Sequence, residues 1–106
     1  MMTSVDVVSA MTDVIVHRFH PLRVILFGSQ ARGDTHPTSD VDFLVVTEDG
    51  SNKRATAVAI RRALSDFPVC KDVVVTTPDE IARRGNLVGS VLRPALRDGI
   101  VVYERR

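Results

Sequence analysis

Cysteine occurs once in the 106 residues, at Cys70, so no disulfide can form within the chain. That usage suits a reducing compartment. The apolar run around Cys70 makes it a buried structural thiol rather than a nucleophile. Net charge is scarce too: 14 Lys and Arg against 13 Asp and Glu leave +1. Sequence-independent nucleic-acid binding needs a basic stripe that displaces counterions. Arg83, Arg84, Arg93, Arg97, Arg105 and Arg106 make the C-terminal third locally basic, but a solvated face explains them better than a nucleic-acid surface. No apolar run approaches the roughly 20 residues that span a bilayer, and no signal peptide precedes the first polar residues. The expectation is a cytoplasmic protein with no membrane contact. Repeats, linkers and low-complexity tracts are missing as well, and the length suits one domain over 1–106.

What is present is an ordinary globular composition, with 44% apolar and 25% charged residues. A chain of this size folds unaided with little margin, so fold and site must share the same few elements. Val5, Val8, Met11, Ile15 and Phe19 recur on one helical face, predicting a helix over 4–19 with Ser4 as N-cap and Pro21 as stop. Leu22–Phe27 reads as a strand ended by Gly28, and Asp40–Thr47 as a second strand. In the latter, Val41, Phe43 and Val45 face one way while Asp40, Asp42, Leu44 and Val46 face the other. Both faces turn apolar past Asp42, which places this strand centrally in a covered sheet.

After a turn at 48–51 the pattern predicts a helix over 52–66, with Ala57, Ile60, Ala63 and Leu64 inward and Lys53, Arg54, Arg61 and Arg62 outward. A third strand runs Val69–Thr76. Thr77-Pro78-Asp79-Glu80 then starts a short helix, with Thr77 as cap, Pro78 in first position and Glu80 completing a capping box; Gly85 ends it. Leu87–Leu96 suggests another helix, either starting near Ser90 or kinked at Pro94. Ile100–Tyr103 is a final strand. The alternation predicts an α/β fold, a mixed sheet of about four strands flanked by helices.

Asp40 and Asp42, two apart on a strand, project from one face about 7 Å apart. Their repulsion and desolvation would be relieved by a divalent cation, and Mg²⁺ prefers such hard oxygen ligands. Gly28-Ser29 directly follows a strand, where a glycine turn with free N–H groups admits phosphate oxygens and Ser29 adds a hydroxyl donor. Each feature is weak alone. On adjacent strands they bring metal and phosphate to one sheet edge. Asp72 near the start of the third strand can join them as a metal ligand or as acceptor of a hydroxyl proton. Equally, it can be an edge carboxylate paired with Lys71 or an arginine. His36 in the loop reads as solvated, and His17 and His20 lack companions for a metal site.

Gly28-Ser29, ten intervening residues and Asp40-Val41-Asp42 together resemble the signature of the minimal nucleotidyltransferases of the DNA polymerase β-like superfamily. Leu26-Phe-Gly-Ser-Gln-Ala-Arg-Gly33 and Ser39-Asp-Val-Asp-Phe-Leu-Val-Val46 extend the likeness. Asp72, in Lys71-Asp-Val-Val-Val75, lies where such families place a third carboxylate. The resemblance implies a nucleotidyltransferase-like fold, nucleotide phosphates at Gly28 and Ser29, and Mg²⁺ at Asp40 and Asp42. Arg32 looks like the motif arginine, contacting phosphate or buttressing the loop through Asp34, and Gly33 supplies backbone geometry.

Larger relatives carry an added domain for the acceptor, for which this length leaves no room. Chains similar to this one are often paired with a HEPN-domain toxin in toxin–antitoxin modules. The resemblance therefore implies an antitoxin that moves AMP from ATP to a tyrosine of its partner. Alternatives are a homodimeric enzyme acting on a small molecule of the aminoglycoside type, a module that neutralises its partner by contact alone, and a nucleic-acid-end transferase disfavoured by the balanced charge.

Overall fold

The computed structural model describes residues 4–27, 41–67, 71–84, 96–97 and 99–105. Helix α1 spans Ser4–Phe19 and strand β1 Arg23–Phe27; strand β2 is Val41–Val46 and helix α2 Lys53–Ala63. Strand β3 (Lys71–Thr76), helix α3 (Pro78–Arg84) and strand β4 (Ile100–Glu104) follow. These elements follow the expected order, and the ends that fall among the described residues agree to within three residues. Ser4, expected as the N-cap, is instead the first helical residue of α1. Cys70, Gly85 and most of the predicted 87–96 helix lie outside the described residues, although Leu96 and Arg97 are helical.

α1 buries Val7, Val8, Met11 and Ile15. Thr12 is buried with them because its hydroxyl donates to the Val8 carbonyl at 2.8 Å, which satisfies the polar group inside the helix. At the other end the His20 amide donates to the Val16 carbonyl, and His20 takes a positive φ of 49°. A left-handed residue followed by Pro21 cannot continue a helix, so the stop expected at proline is executed one residue earlier. α2 begins at Asn52, whose side-chain oxygen accepts from the Ala55 amide at 3.0 Å. Asn52 is thus a cap rather than a helical residue.

The sheet has strand order β3-β2-β1-β4. β1 runs antiparallel to both β2 and β4, and β2 runs parallel to β3. A parallel pair needs a crossover, and α2 supplies it. The architecture is the mixed four-stranded α/β sheet read from the sequence, with β2 interior as expected. The main core lies on the helix-bearing side. Val24, Leu26, Val41, Phe43, Val45, Val73 and Val75 meet Met11 and Ile15 of α1 and Ile60 and Leu64 beside them. On the opposite face Ile25 and Leu44 form a smaller cluster with Phe27, Val74 and Leu96.

Two polar ties fix the periphery. Arg105 donates through its backbone to Leu22, pairs with Glu48 at 3.1 Å, and donates to the His20 carbonyl, so the last strand is pinned to the α1–β1 corner. At the C-terminal end of β3, Thr77 Oγ1 accepts from the Glu80 amide at 3.2 Å, the forward half of the expected capping box. The Glu80 carboxylate, however, takes the Thr76 hydroxyl at 2.5 Å and Lys53 Nζ at 2.7 Å. Lys53, read as an outward residue, instead joins α2 to α3.

Candidate active site

Strand periodicity decides which side of the sheet the carboxylates occupy. Val41, Phe43 and Val45 belong to the helix-covered core, so Asp42 between them faces the other side. The same alternation in β3 sends Val73 and Val75 to the core and Asp72 away from it. In the parallel register Asp42 pairs with Asp72. Neighbouring strands lie about 4.8 Å apart, and register partners share a face. The two carboxylates are therefore side by side near the N-terminal ends of β2 and β3, on the face without α1 and α2.

Phe27, the last residue of β1, is the antiparallel partner of Asp42. The segment 28–40 begins at Phe27 and rejoins the sheet at Val41, both flanking the carboxylate pair. That segment holds Gly28, Ser29, Arg32, Gly33 and Asp40, together with Asp34 and His36, and it lies outside the described residues. Of the candidate site residues, the described part thus brings Asp42 and Asp72 together.

Their surroundings differ. Asp42 is half-buried, whereas Asp72 is exposed on the edge strand. Arg61 in the last turn of α2 reaches over that edge. Its Nη2 donates to Asp72 Oδ1 and to the Val73 carbonyl, each at 3.2 Å. The same Asp72 oxygen accepts the Val73 amide at 3.0 Å. The arginine-paired alternative for Asp72 is therefore realised, and the partner is one read from the sequence only as an outward helix residue. Nothing in the local pattern joins residues 61 and 72. Their meeting requires α2 to pack against β3 in this register.

Two like charges directly opposite on a sheet repel, and the guanidinium offsets part of that cost. A divalent cation would offset more, since two carboxylates supply hard oxygen donors of the kind Mg²⁺ prefers. The donor chemistry fits such an ion. Among the described residues no group of three or more His, Cys, Asp or Glu is placed to hold a metal; Asp40, the remaining expected ligand, is not among them.

A carboxylate held below its ordinary value lies at the other end of β3. Hydrogen bonding from Lys53, and then from Thr76, holds Glu80 below its ordinary value, against a smaller opposing effect of burial. Glu80 meets β3 at Thr76, the opposite end of the strand from Asp72. Its perturbation marks a structural ion pair rather than the site, an ambiguity inherent in perturbed carboxylates.

Over most of its length the sequence matches a known family. The nucleotidyltransferase domain model matches residues 10–100. The chain belongs to the nucleotidyltransferase domain family. Among solved structures, a protein from Sulfolobus solfataricus assigned as a nucleotidyltransferase is similar, with 23% identity and a TM-score of 0.62 over 93% of this chain and 78% of that one. A toxin–antitoxin structure with AMP-PNP is similar at 20% identity and a TM-score of 0.53, covering 92% and 74%. At these identities the likeness establishes the nucleotidyltransferase-like fold. Comparison with curated proteins gives no match. Among the described residues, no helix is long and apolar enough to cross a membrane.

Proposed function

We propose that this nucleotidyltransferase domain, a single domain over 1–106, transfers AMP from ATP to a tyrosine hydroxyl of a partner protein, a HEPN toxin that it thereby neutralises. The observation that carries the catalytic part is the parallel register that sets Asp42 beside Asp72, on the sheet face away from α1 and α2, in a family-matched fold. In this reading Asp40, Asp42 and Asp72 are the catalytic and metal-binding carboxylates, with Mg²⁺ neutralising phosphate charge when bound. Gly28 and Ser29 receive the nucleotide phosphates, Arg32 contacts phosphate or braces the loop, and Gly33 allows its turn. The tyrosine oxygen bonds to the α-phosphorus, the bond to the β-phosphate oxygen breaks, and pyrophosphate leaves. Asp72, exposed and adjacent to Asp42, is suited to take the hydroxyl proton once released from Arg61.

Support for a protein acceptor is the similarity to a toxin–antitoxin structure with AMP-PNP. The test is to incubate the purified chain and its neighbouring-gene product with α-labelled ATP and Mg²⁺. Label should appear on the partner and disappear with Asp42→Asn, whose circular dichroism should remain that of the parent. Absence of transfer from every nucleoside triphosphate would overturn the catalytic reading. Neutralisation that survives Asp42→Asn in full would show that contact alone suffices.

A further inference from the structure

The outer side of α2 carries a second pattern that the core does not use. Inward, Ile60 is buried in the sheet-facing core, followed by Leu64 just past the helix end. Outward, Ala55, Val58, Ala59 and Arg62 recur at helical spacing (i, i+3, i+4 and i+7), placing them along one face. Val58 is 43% exposed, one of the few large apolar side chains so exposed among the described residues. With Arg18 from the end of α1, and with Arg54, these residues line an open groove of about 680 Å³. Its floor is alanine and valine, and arginines stand along its rim.

Among the described residues, Arg18, Arg54, Arg62, Arg84 and Arg97 are the arginines in no ion pair, and three of these five line the groove. Arg61, Arg83 and Arg105 each hold a carboxylate. Arg18, Arg54 and Arg62 are exposed, and among the described residues no ion pair engages them. An apolar floor offers nothing to a phosphate backbone, and an open trough does not enclose a small molecule as ligand pockets do. A helix laid in such a groove does use both features: its apolar face meets Ala55, Val58 and Ala59, and acidic residues beside that face meet the arginines. Alanine at positions 55 and 59 lets another helix approach closely.

We infer that the α1–α2 groove docks an acidic amphipathic helix of the protein partner. The inference rests on the proposed function only in requiring such a partner. The groove lies on the outer side of the helix layer, while Asp42 and Asp72 lie across the sheet. Docking and transfer therefore occupy opposite sides of the domain, so the helix held in the groove is not the segment that receives the nucleotide.

The experiment uses the full chain with Val58→p-benzoylphenylalanine, expressed in its source cells with the partner gene, and irradiated. A control carries the same residue at position 101 on the β4 edge. Expected is a light-dependent adduct from position 58 and none from position 101, mapped by mass spectrometry to a partner helix bearing acidic residues. Arg54→Glu with Arg62→Glu should reduce the partner's affinity for the otherwise unmodified chain at least ten-fold. Ala59→Arg, an exposed change that keeps helix propensity, should block the floor and do the same without touching the charges. Asp42→Asn should leave docking intact, so loss of label transfer and loss of docking are separable. An adduct with nucleic acid, an adduct with a second copy of the chain, no adduct at 58, or binding indifferent to both variants would each overturn the inference.

Discussion

Replacing Glu80 by Gln tests the idea that one carboxylate holds the C-terminal end of β3, the start of α2 and α3 together. Glu80 Oε2 receives Lys53 Nζ at 2.7 Å and Oε1 receives the Thr76 hydroxyl at 2.5 Å. Its side chain is 19% exposed and that of Lys53 38%. A hydrogen bond to a charged group contributes about 1.5–3 kcal/mol when well buried. The exposure of Lys53 moves its ion pair toward the 0–1 kcal/mol range of surface pairs. Glutamine keeps one oxygen for Thr76 but sets a neutral amide against Lys53. The net cost of Glu80→Gln is therefore about 1–2 kcal/mol, or roughly 5–15 °C in Tm for a domain of this size.

The pH dependence gives the sharper readout. Glu80's folded-state value lies below the ordinary 4.5. Its contribution is complete above about pH 4.5 and is lost as pH falls through the lowered folded value. Urea titrations of parent and Glu80→Gln should differ by a constant amount from pH 7 to about 5. Below that the two curves should converge, because the parent loses the same interaction on protonation. Parallel curves down to pH 3, or no difference at pH 7, would refute the reasoning.

Three further changes probe other links. Ile60→Ala empties a fully buried position between α2 and the sheet and should cost about 2–5 kcal/mol in urea denaturation, a large part of this small domain's stability. Asn52→Ala removes the oxygen that caps the Ala55 amide and should cost about 1 kcal/mol, with a matching fall in Tm. Arg61→Gln breaks a pair whose side chains are 53% and 61% exposed, so the stability change should stay below about 1 kcal/mol. A loss above 2 kcal/mol in the same titration would show that Arg61 supports the β3 edge far more than a surface pair does.

Asp42 was legible because strand alternation is local. Val41, Phe43 and Val45 are apolar, so whatever stands between them must face the other way. Asp72 was legible only as a set of alternatives, since its neighbours on the sheet depend on which strand lies beside β3. The Arg61 contact was not legible: residues 61 and 72 meet through the packing of α2 on an edge strand, and no spacing rule reports that. The departures at Lys53 and Glu80 have the same origin. Local rules placed Glu80 in a capping box, and the forward bond from Thr77 is there, but a lysine brought close by the fold competes for the carboxylate. At His20 the proline correctly signalled a stop, while the left-handed turn before it, whose carbonyl accepts from Arg105, had no local signal.

By itself, then, the sequence determined the order of helices and strands, the interior position of β2, and the face on which Asp42 stands. These follow from periodicity, turn chemistry and apolar runs, which act over a few residues. Only the tertiary structure decided that β3 runs parallel beside β2 with Asp72 against Asp42, and that Arg61 holds the outer carboxylate. It also decided that Val58, Arg54 and Arg62 of α2 and Arg18 of α1 stand exposed along one groove. Those outcomes depend on which surfaces meet, a property of the folded chain as a whole.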